Sequence, residues 1–239
     1  MNSWFQFKQF IIHQDKTAMK VCTDACLFGA LVAKKMEQKE ISAENILDIG
    51  CGTGLLSLML AQKSNAQIDA VEIDENAYEQ ALRNIHLTTW ENKIEVHHSS
   101  ILHFHSQKKY ELIICNPPFY EGQLKSTDGK RNGAMHATML SFLELAVSIK
   151  YNLTKNGTAA ILLPESSVKN FEEICVENNL FVFEKLHVCH SPLHPYFRCV
   201  LLISDIKKKI QQEYLSIKNA DENYSSEFIY LLQDYYLNL

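Results

Sequence analysis

Between residues 44 and 205, short apolar segments alternate with segments of helical periodicity, and this alternation constrains the fold more than any other feature. The apolar runs within residues 110–116 and 158–164 are continuous, which is typical of strands buried on both faces. Strands that alternate with helices indicate βαβ units and a parallel sheet. The pattern therefore predicts an α/β fold in three layers, with a mainly parallel sheet at its centre.

Seven strands are predicted, at residues 44–49, 67–74, 93–99, 110–116, 158–164, 180–189 and 198–205. Helices are predicted at residues 23–39, 55–62, 75–87, 139–153, 166–177 and 228–237. The turn-forming run of residues 190–196 joins the last two strands, so we expect a hairpin there. One of the seven strands should then run antiparallel, at or near the sheet edge.

The 239 residues contain no internal repeat and no Gly/Ser linker, so we interpret residues 1–239 as a single domain. Residues 41–205 form its predicted core, between an N-terminal extension (1–40) and a C-terminal helical extension (206–239). The aromatic helix of the C-terminal extension, residues 228–237, is expected to dock on the core. Hydrophobic residues make up 46% and charged residues 21%, which excludes a disordered chain. The formal net charge of −5 excludes a strongly basic nucleic-acid coat, although a local basic patch remains compatible with it.

The seven cysteines are odd in number and scattered, which argues against a disulfide framework and for a reducing cytoplasm. No apolar run approaches the roughly 20 residues that a membrane-spanning helix needs. The first ten residues also lack a basic start followed by an apolar stretch, so no secretory signal is expected. We therefore expect a cytoplasmic protein without a membrane partner. The sequence leaves the oligomeric state open, and a monomer is favoured.

The run Asp48-Ile-Gly-Cys-Gly-Thr-Gly lies between the first predicted strand and the following helix. Glycine at alternate positions (Gly50, Gly52 and Gly54) permits a tight turn and lets a ligand approach the backbone. The free N–H groups at the helix start favour negative groups nearby. Glu72 ends the second strand, where a carboxylate can accept hydrogen bonds from two ribose hydroxyls. These features predict a site for a nucleoside cofactor.

The fourth predicted strand ends in Asn116-Pro117-Pro118-Phe119. Because proline has no N–H and a fixed φ, the carbonyls of Asn116 and Pro117 are free to accept hydrogen bonds from a ligand. An amide oxygen and a carbonyl together can hold both protons of an –NH2 group and aim its lone pair at a methyl group. Phe119 can stack on a base, and Tyr120 can widen that surface. The motif predicts chemistry on a poorly nucleophilic nitrogen.

The order of strand, D-x-G-x-G-x-G, helix, strand and glutamate resembles the cofactor half of the class I S-adenosylmethionine-dependent methyltransferases. The resemblance implies a Rossmann-like fold and S-adenosyl-L-methionine as the cofactor. It places the loop from Asp48 to Gly54 at the methionine end of the cofactor and Glu72 at the ribose. Ser100 stands where many members have an acidic residue that contacts the adenine amino group. Asn116, which is also assigned to the cofactor site, begins the second motif.

Residues 116–119 resemble the N/D-P-P-Y/F/W signature of the amino-group methyltransferases. Those enzymes act on adenine N6, cytosine N4, guanine N2 or the side-chain amide of glutamine. Residues 7–10 (FKQF) and 14–24 (QDKTAMKVCTD) narrow the choice, because they are similar to the N-terminal pattern of the bacterial tRNA1(Val) adenine-37 N6-methyltransferase family. Similar patterns occur at residues 131–136 and 194–198, so the resemblance covers nearly the whole chain.

This family resemblance implies N6-methylation of adenine 37 in tRNA1(Val). It implies that Lys20, Thr23 and Asp24 of the N-terminal extension close over the cofactor. His136 and Arg198 lie within the further matching patterns and are expected to contact the substrate.

An RNA substrate requires cationic contacts to its phosphates. Lys16 is one candidate, and Lys125, Lys130 and Arg131 are others because they follow the NPPF motif in a polar segment with three glycines, residues 121–133. We interpret this segment as a loop that contacts the substrate. Residues 207–209, three consecutive lysines, are a further candidate.

Other functions remain open at this stage. The acceptor could instead be guanine N2 or adenine N6 of rRNA, or a protein glutamine, although glutamine enzymes usually have NPPY and a separate helical N-terminal domain. A nicotinamide oxidoreductase would be expected to have a G-x-G-x-x-G loop, and a non-catalytic RNA-binding module would not need NPPF or Glu72. The histidines at 97, 98, 103 and 105 lack the partners of a typical metal site, so no metal is expected.

Overall fold

The computed structural model describes residues 2–17, 19–118 and 140–239. Its strands in chain order are β1 (Trp4–Gln6), β2 (Ile11–His13), β3 (Asn45–Ile49), β4 (Gln67–Glu72), β5 (Ile94–His98), β6 (Tyr110–Cys115), β7 (Leu153–Pro164), β8 (Phe181–Cys189), β9 (Tyr196–Ser204) and β10 (Gln211–Ser216). Its helices are α1 (Thr23–Glu37), α2 (Leu55–Lys63), α3 (Glu75–His86), α4 (Phe142–Asn152), α5 (Val168–Glu177) and α6 (Ser226–Leu232).

Eight of the described strands form one sheet in the order β10-β8-β9-β7-β6-β3-β4-β5. Strand β9 is antiparallel to both β7 and β8, and the other pairs are parallel. The predicted α/β class and the single antiparallel strand are therefore confirmed. The eighth strand, β10, was not predicted, because the C-terminal extension was expected to be helical and the residues Gln211–Tyr214 are all exposed. β1 and β2 form a separate antiparallel hairpin, which was also not predicted.

Helices cover both faces of the sheet, as the three-layer prediction requires. One hydrophobic cluster joins the sheet to α1, α2, α3 and α6, and it includes Phe7 and Ile12 from the N-terminal extension. The second cluster joins the opposite face to α4 and α5. No helix in the described part of the chain is long and apolar enough to cross a membrane.

The parallel strands β3, β4, β6 and β7 end at one edge of the sheet, which we call the carboxyl edge. Gly50 and Asn116 follow β3 and β6, and Glu72 and Pro164 end β4 and β7. Strand β9 begins at this edge because it runs in the opposite direction. The lysines at 207–209 follow β9 and therefore lie at the opposite edge, which argues against a role for them beside Asn116.

Candidate active site

The glycine loop after β3 adopts a backbone conformation that favours glycine. Gly50 and Gly52 have φ angles of 70° and 57°, in the left-handed region that side chains rarely adopt. A Cβ atom at either position would meet nothing within 4 Å. Glycine is therefore required by the backbone conformation and not by crowding from the protein, and the space beside the loop is open to a ligand. Gly54, with φ 80°, is the N-cap of α2.

The Glu72 carboxylate holds the glycine loop against the end of β4. Its Oε2 accepts a hydrogen bond from the Gly52 N–H at 2.8 Å, and its Oε1 accepts from the N–H groups of Ile73 at 2.8 Å and Asp74 at 2.9 Å. The residue is only 8% exposed. Because an ionised carboxylate offers about four acceptor sites, Glu72 can accept a further hydrogen bond from a ligand hydroxyl.

Asp48 is fully buried beneath the same loop. Its Oδ2 accepts a hydrogen bond from the Ser57 hydroxyl at 2.6 Å, whereas its Oδ1 has no partner among the described residues. Burial raises the pKa of this carboxyl to about 7; the hydrogen bond from Ser57 opposes the shift, and the charge of Glu72 adds to it. The site therefore holds a carboxyl group poised to ionise beside a ligand of positive charge.

Asn116 follows β6 at the carboxyl edge, beside the glycine loop of the neighbouring strand β3. Its side-chain Oδ1 is buried and has no hydrogen-bond partner among the described residues. Buried polar atoms in native proteins are almost always paired, so this oxygen is an available acceptor. Pro117 is buried and Pro118 is exposed. Phe119, Tyr120, Lys125, Lys130, Arg131 and His136 lie outside the described residues.

Two cysteines flank these groups, Cys51 in the glycine loop and Cys115 directly before Asn116. Both are buried, and burial raises the pKa of each thiol well above its usual value. They therefore stay protonated, and we assign them a packing role.

The predicted cofactor residues of the N-terminal extension make contacts mainly within the protein. The Lys20 ammonium group donates hydrogen bonds to the backbone carbonyls of Gln14 and Thr17. Thr23 is exposed at the first position of α1. The Asp24 Oδ2 accepts a hydrogen bond from Arg198 Nε at 2.8 Å. The sequence assigned Asp24 to the cofactor and Arg198 to the RNA, but the structure shows the two residues hydrogen-bonded to each other.

Two other predicted residues lie on the β4 and β5 side of the site. Ser100 follows β5 in a turn, where its Oγ accepts a hydrogen bond from the Leu102 N–H at 3.3 Å. Lys16 forms a surface ion pair of 2.6 Å with Glu79 on α3. Surface pairs of this kind are weak, so the Lys16 ammonium group is available to other anions.

Sequence reasoning missed two buried amides on α3. The Asn84 side chain accepts a hydrogen bond from the His13 N–H and donates to the carbonyls of His13 and Thr53, all at 2.9 Å. The Gln80 Oε1 accepts from the Lys16 N–H at 3.1 Å. Asn84 therefore joins the N-terminal extension to the glycine loop, and Gln80 joins the extension to α3. Their signal in the sequence was a pair of polar residues four apart on the otherwise apolar face of α3.

Comparison with known proteins places this site in a family. The family model described as the methyltransferase small domain matches residues 27–171. A tRNA1(Val) (adenine(37)-N6)-methyltransferase of Cytophaga hutchinsonii is 40% identical, and the match covers 100% of this chain and 99% of that protein. One of the same name from Pseudoalteromonas translucida is 39% identical over 99% of this chain and all of that protein. The chain belongs to the tRNA1(Val) (adenine(37)-N6)-methyltransferase family.

Membership in the tRNA1(Val) (adenine(37)-N6)-methyltransferase family confirms the predicted methyltransferase and its cofactor, S-adenosylmethionine. The fold agrees as well. The solved structure of a predicted O-methyltransferase from Agrobacterium tumefaciens matches with a TM-score of 0.67 at 16% identity, over 90% of this chain and all of that one.

The geometry of this family member fits the cofactor. The positive-φ glycines leave open space, and Glu72 offers a ribose acceptor. The buried Asp48 Oδ1, which has no hydrogen-bond partner among the described residues, can accept a hydrogen bond from the ammonium group of the cofactor.

Proposed function

We propose that this chain transfers a methyl group from S-adenosylmethionine to the N6 atom of adenine 37 in tRNA1(Val). The single observation that supports this most directly is the buried Asn116 Oδ1 at the carboxyl edge, which has no hydrogen-bond partner in the described part of the chain. An amide oxygen there, together with the Pro117 carbonyl, can accept both protons of the adenine –NH2 group. The sequence resemblance and the names of the relatives supply the nucleotide and the tRNA.

In this proposal the protein acts mainly by orientation. S-adenosylmethionine supplies an electrophilic methyl group. Two acceptors on the amine bend the nitrogen out of the plane of the base and direct its lone pair towards that methyl group, so that no strong general base is needed. The positive charge that develops on the nitrogen makes its protons more acidic and strengthens both hydrogen bonds. The carbon–sulfur bond breaks as the carbon–nitrogen bond forms, the sulfur keeps the electron pair, and one of the two amine protons is then released to solvent. Phe119 supports the base by stacking, and Tyr120 extends the stacking surface.

The remaining predicted residues have assigned places in this proposal. Glu72 holds the ribose, Asp48 and the glycines from Gly50 to Gly54 line the methionine end, and Ser100 lies near the adenine of the cofactor. Thr23 and Lys20 contribute the covering wall. The tRNA phosphates are contacted by Lys16, Lys125, Lys130 and Arg131, with His136 nearby.

The proposal also covers the domain organisation, the oligomeric state and the cellular compartment of the protein. We assign residues 1–239 to one domain, because both terminal extensions contribute to one hydrophobic cluster with the core. We propose that this domain acts as a monomer. All seven cysteines are free thiols, which suits a reducing cytoplasm. The direct transfer described above requires no metal ion.

The test is incorporation of labelled methyl from S-adenosylmethionine into unmodified total tRNA, with the modified nucleoside and its position identified by mass spectrometry. We expect N6-methyladenosine at position 37 of one valine tRNA. Binding of S-adenosylmethionine without transfer to any tRNA would overturn the assigned substrate.

Two variants at one position test the role of Asn116. Asn116→Ala removes the acceptor and should lower kcat by about a hundredfold or more, with S-adenosylmethionine binding retained in calorimetry. Asn116→Asp keeps an acceptor oxygen and should retain measurable transfer. Near-normal turnover by Asn116→Ala would refute the mechanism.

A further inference from the structure

Two ion pairs fasten α1 to the same half of the sheet, one near each end of the helix. Asp24, in the first turn, pairs with Arg198 of β9 at 2.8 Å, and Lys35, near the last turn, pairs with Glu184 of β8 at 2.8 Å. Both pairs are largely buried, with side chains 14% and 17% exposed in the first and 10% and 9% in the second. They lie about 16 Å apart along the helix.

Only the first pair lies at the carboxyl edge. Arg198 is the register partner of Pro164, the last residue of β7. Strand β7 adjoins β6, and Asn116 follows β6 directly. Asn116 is level with Leu162, two residues before Pro164. Arg198 is therefore two strand spacings across the sheet and two residues along it from Asn116, a separation of roughly 12 Å.

The guanidinium group of Arg198 is directed into the protein. Its Nε donates to Asp24, its Nη1 donates to the Phe197 carbonyl at 3.2 Å, and its central carbon lies 5.4 Å from the centre of the Phe197 ring. The second oxygen of Asp24 accepts a hydrogen bond from the Ala25 N–H at 3.1 Å. Recognition of a tRNA phosphate needs the guanidinium fork to point outwards, whereas here Nε is bonded to Asp24 and Nη1 to the Phe197 carbonyl.

Asp24 is also the last residue of a chain segment that runs past the active site. Residues 13–17 are tied to α3 through Asn84 and Gln80, on the β4 and β5 side of the sheet. Residues 19–24 lead from there to Asp24 and β9. We call residues 13–17 and 19–24 the N-terminal segment. Asn84 also donates a hydrogen bond to Thr53 of the glycine loop. The segment is therefore held beside the glycine loop at one end, through Asn84, and against β9 at the other end, through Arg198.

We infer that Arg198 is a positioning residue for methyl transfer: by holding Asp24, it fixes the N-terminal segment beside the glycine loop and Asn116. This role replaces the direct RNA contact that the sequence resemblance implied for Arg198. The inference rests on the proposed function, because methyl transfer is its readout.

The experiment compares Arg198→Gln, Arg198→Lys, Asp24→Asn and the double variant Asp24→Asn/Arg198→Gln. We expect Arg198→Gln to lower kcat and to weaken S-adenosylmethionine binding, each by about tenfold or more, since small displacements at a reacting centre are costly. Arg198→Lys, which retains a cation, should recover part of the loss. The double variant should be no worse than either single variant, because both substitutions break one interaction.

Salt dependence separates positioning from phosphate contact. If Arg198 bound a phosphate, Arg198→Gln would raise the KM for tRNA and lower the slope of log affinity against log salt by about one. Positioning leaves that slope unchanged. A reduced slope with unaltered S-adenosylmethionine affinity would therefore overturn the inference.

The second ion pair supplies a matched control. Glu184→Gln breaks the pair at the other end of α1, so it should lower the melting temperature without changing kcat or cofactor affinity. An equal loss of activity in Glu184→Gln would show that any loosening of α1 suffices, and would also overturn the inference. Should Arg198→Gln fail to fold, Arg198→Lys and Asp24→Asn carry the same comparison. If the unaltered protein transferred no methyl group, that result would count against the proposed function and not against this inference. The cofactor affinities of the same variants would then still test the Asp24–Arg198 pair.

Discussion

The buried carboxyl of Asp48 gives the site a dependence on pH. Its pKa is about 7 in the folded protein, against about 3.9 in an unfolded chain. The unfolded state therefore releases the proton at lower pH, and the stability associated with protonated Asp48 is lost as the pH rises through about 7. Since one pKa unit corresponds to about 1.4 kcal/mol, we expect this group to lower the free energy of unfolding by about 2–3 kcal/mol between pH 5 and pH 8.

Urea denaturation of the cofactor-free protein at several pH values measures this effect. Asp48→Asn cannot ionise, so its free energy of unfolding should fall less steeply over the same range. Parallel pH profiles for the variant and the unaltered protein would contradict the assignment.

Glu72 combines a structural and a binding role, and substitution should affect both. In the unaltered protein, one Glu72 oxygen accepts a hydrogen bond from the Gly52 N–H, and the other accepts from the N–H groups of Ile73 and Asp74. Glu72→Gln replaces one of these oxygens by an –NH2 group, which cannot accept them. We expect a loss of about 1–3 kcal/mol in the free energy of unfolding and a cofactor affinity at least tenfold weaker. Denaturation and calorimetry measure the two effects.

Glu95→Gln, at an exposed position of the neighbouring strand β5, is the control for Glu72→Gln. It should change neither the free energy of unfolding nor the cofactor affinity. A Glu72→Gln variant that loses stability but binds S-adenosylmethionine normally would limit Glu72 to a structural role.

At the scale of elements, α3 acts as the dock for the N-terminal segment. Asn84→Ala removes its bonds to His13 and Thr53 at once. We expect faster hydrogen exchange in residues 13–17 and cofactor affinity weakened by about tenfold, because the glycine loop loses one of its supports. Hydrogen-exchange mass spectrometry and calorimetry measure the two effects.

Asn152→Ala is a matched control for Asn84→Ala, since Asn152 is a buried helical asparagine that donates to the Ser148 carbonyl on the other face of the sheet. It should lose stability with unchanged cofactor affinity. If the two variants weakened binding equally, α3 would have no special part in the site.

The elements differ in how far the sequence could predict them. The strands of the core were predictable because they are continuous apolar runs buried on both faces, as in β6 and β7. Strand β10 was not, because Gln211–Tyr214 are exposed and polar or amphipathic, and the strand forms through its register with β8. The β1–β2 hairpin has three residues in each strand, too few to show a period.

The residues of the site also differ in how far the sequence could predict them. Asp48, Glu72 and Asn116 could be placed from the sequence because each ends or follows a strand at the carboxyl edge. The partners Asn84, Gln80 and Ser57 could not be assigned, because their roles depend on which loops pack against α3 and α2. The pairing of Asp24 with Arg198 joins residues 174 positions apart, and local sequence patterns do not encode contacts over such a distance.

At the scale of the whole molecule, the two terminal extensions pack on each other. The Lys8 N–H donates to the Tyr235 carbonyl at 2.8 Å, and the Tyr235 hydroxyl donates to the Met59 carbonyl on α2 at 2.9 Å. The Tyr236 ring lies 5.7 Å from that of Phe5 and 6.2 Å from that of Phe228. The aromatic C-terminal segment thus packs on the core, as predicted. The predicted helix over residues 228–237 was too long, because α6 ends at Leu232 and both Tyr235 and Tyr236 lie beyond it. Because the N-terminal hairpin leads into the N-terminal segment, we expect the C-terminal helix to stabilise the active site through that hairpin.

This arrangement predicts that a core substitution near the C-terminus affects cofactor binding. Phe228 and Phe171 are both fully buried, the first in the cluster shared with the N-terminal extension and the second in the cluster with α4 and α5. Substitution of either by Ala should cost about 3–5 kcal/mol in the free energy of unfolding, from lost burial and the cavity left behind. Only Phe228→Ala should also speed hydrogen exchange in residues 4–17 and weaken S-adenosylmethionine binding, since only its cluster reaches the N-terminal hairpin. Equal effects of the two variants on binding would mean that cofactor affinity follows overall stability, and the support by the terminal helix would then be excluded.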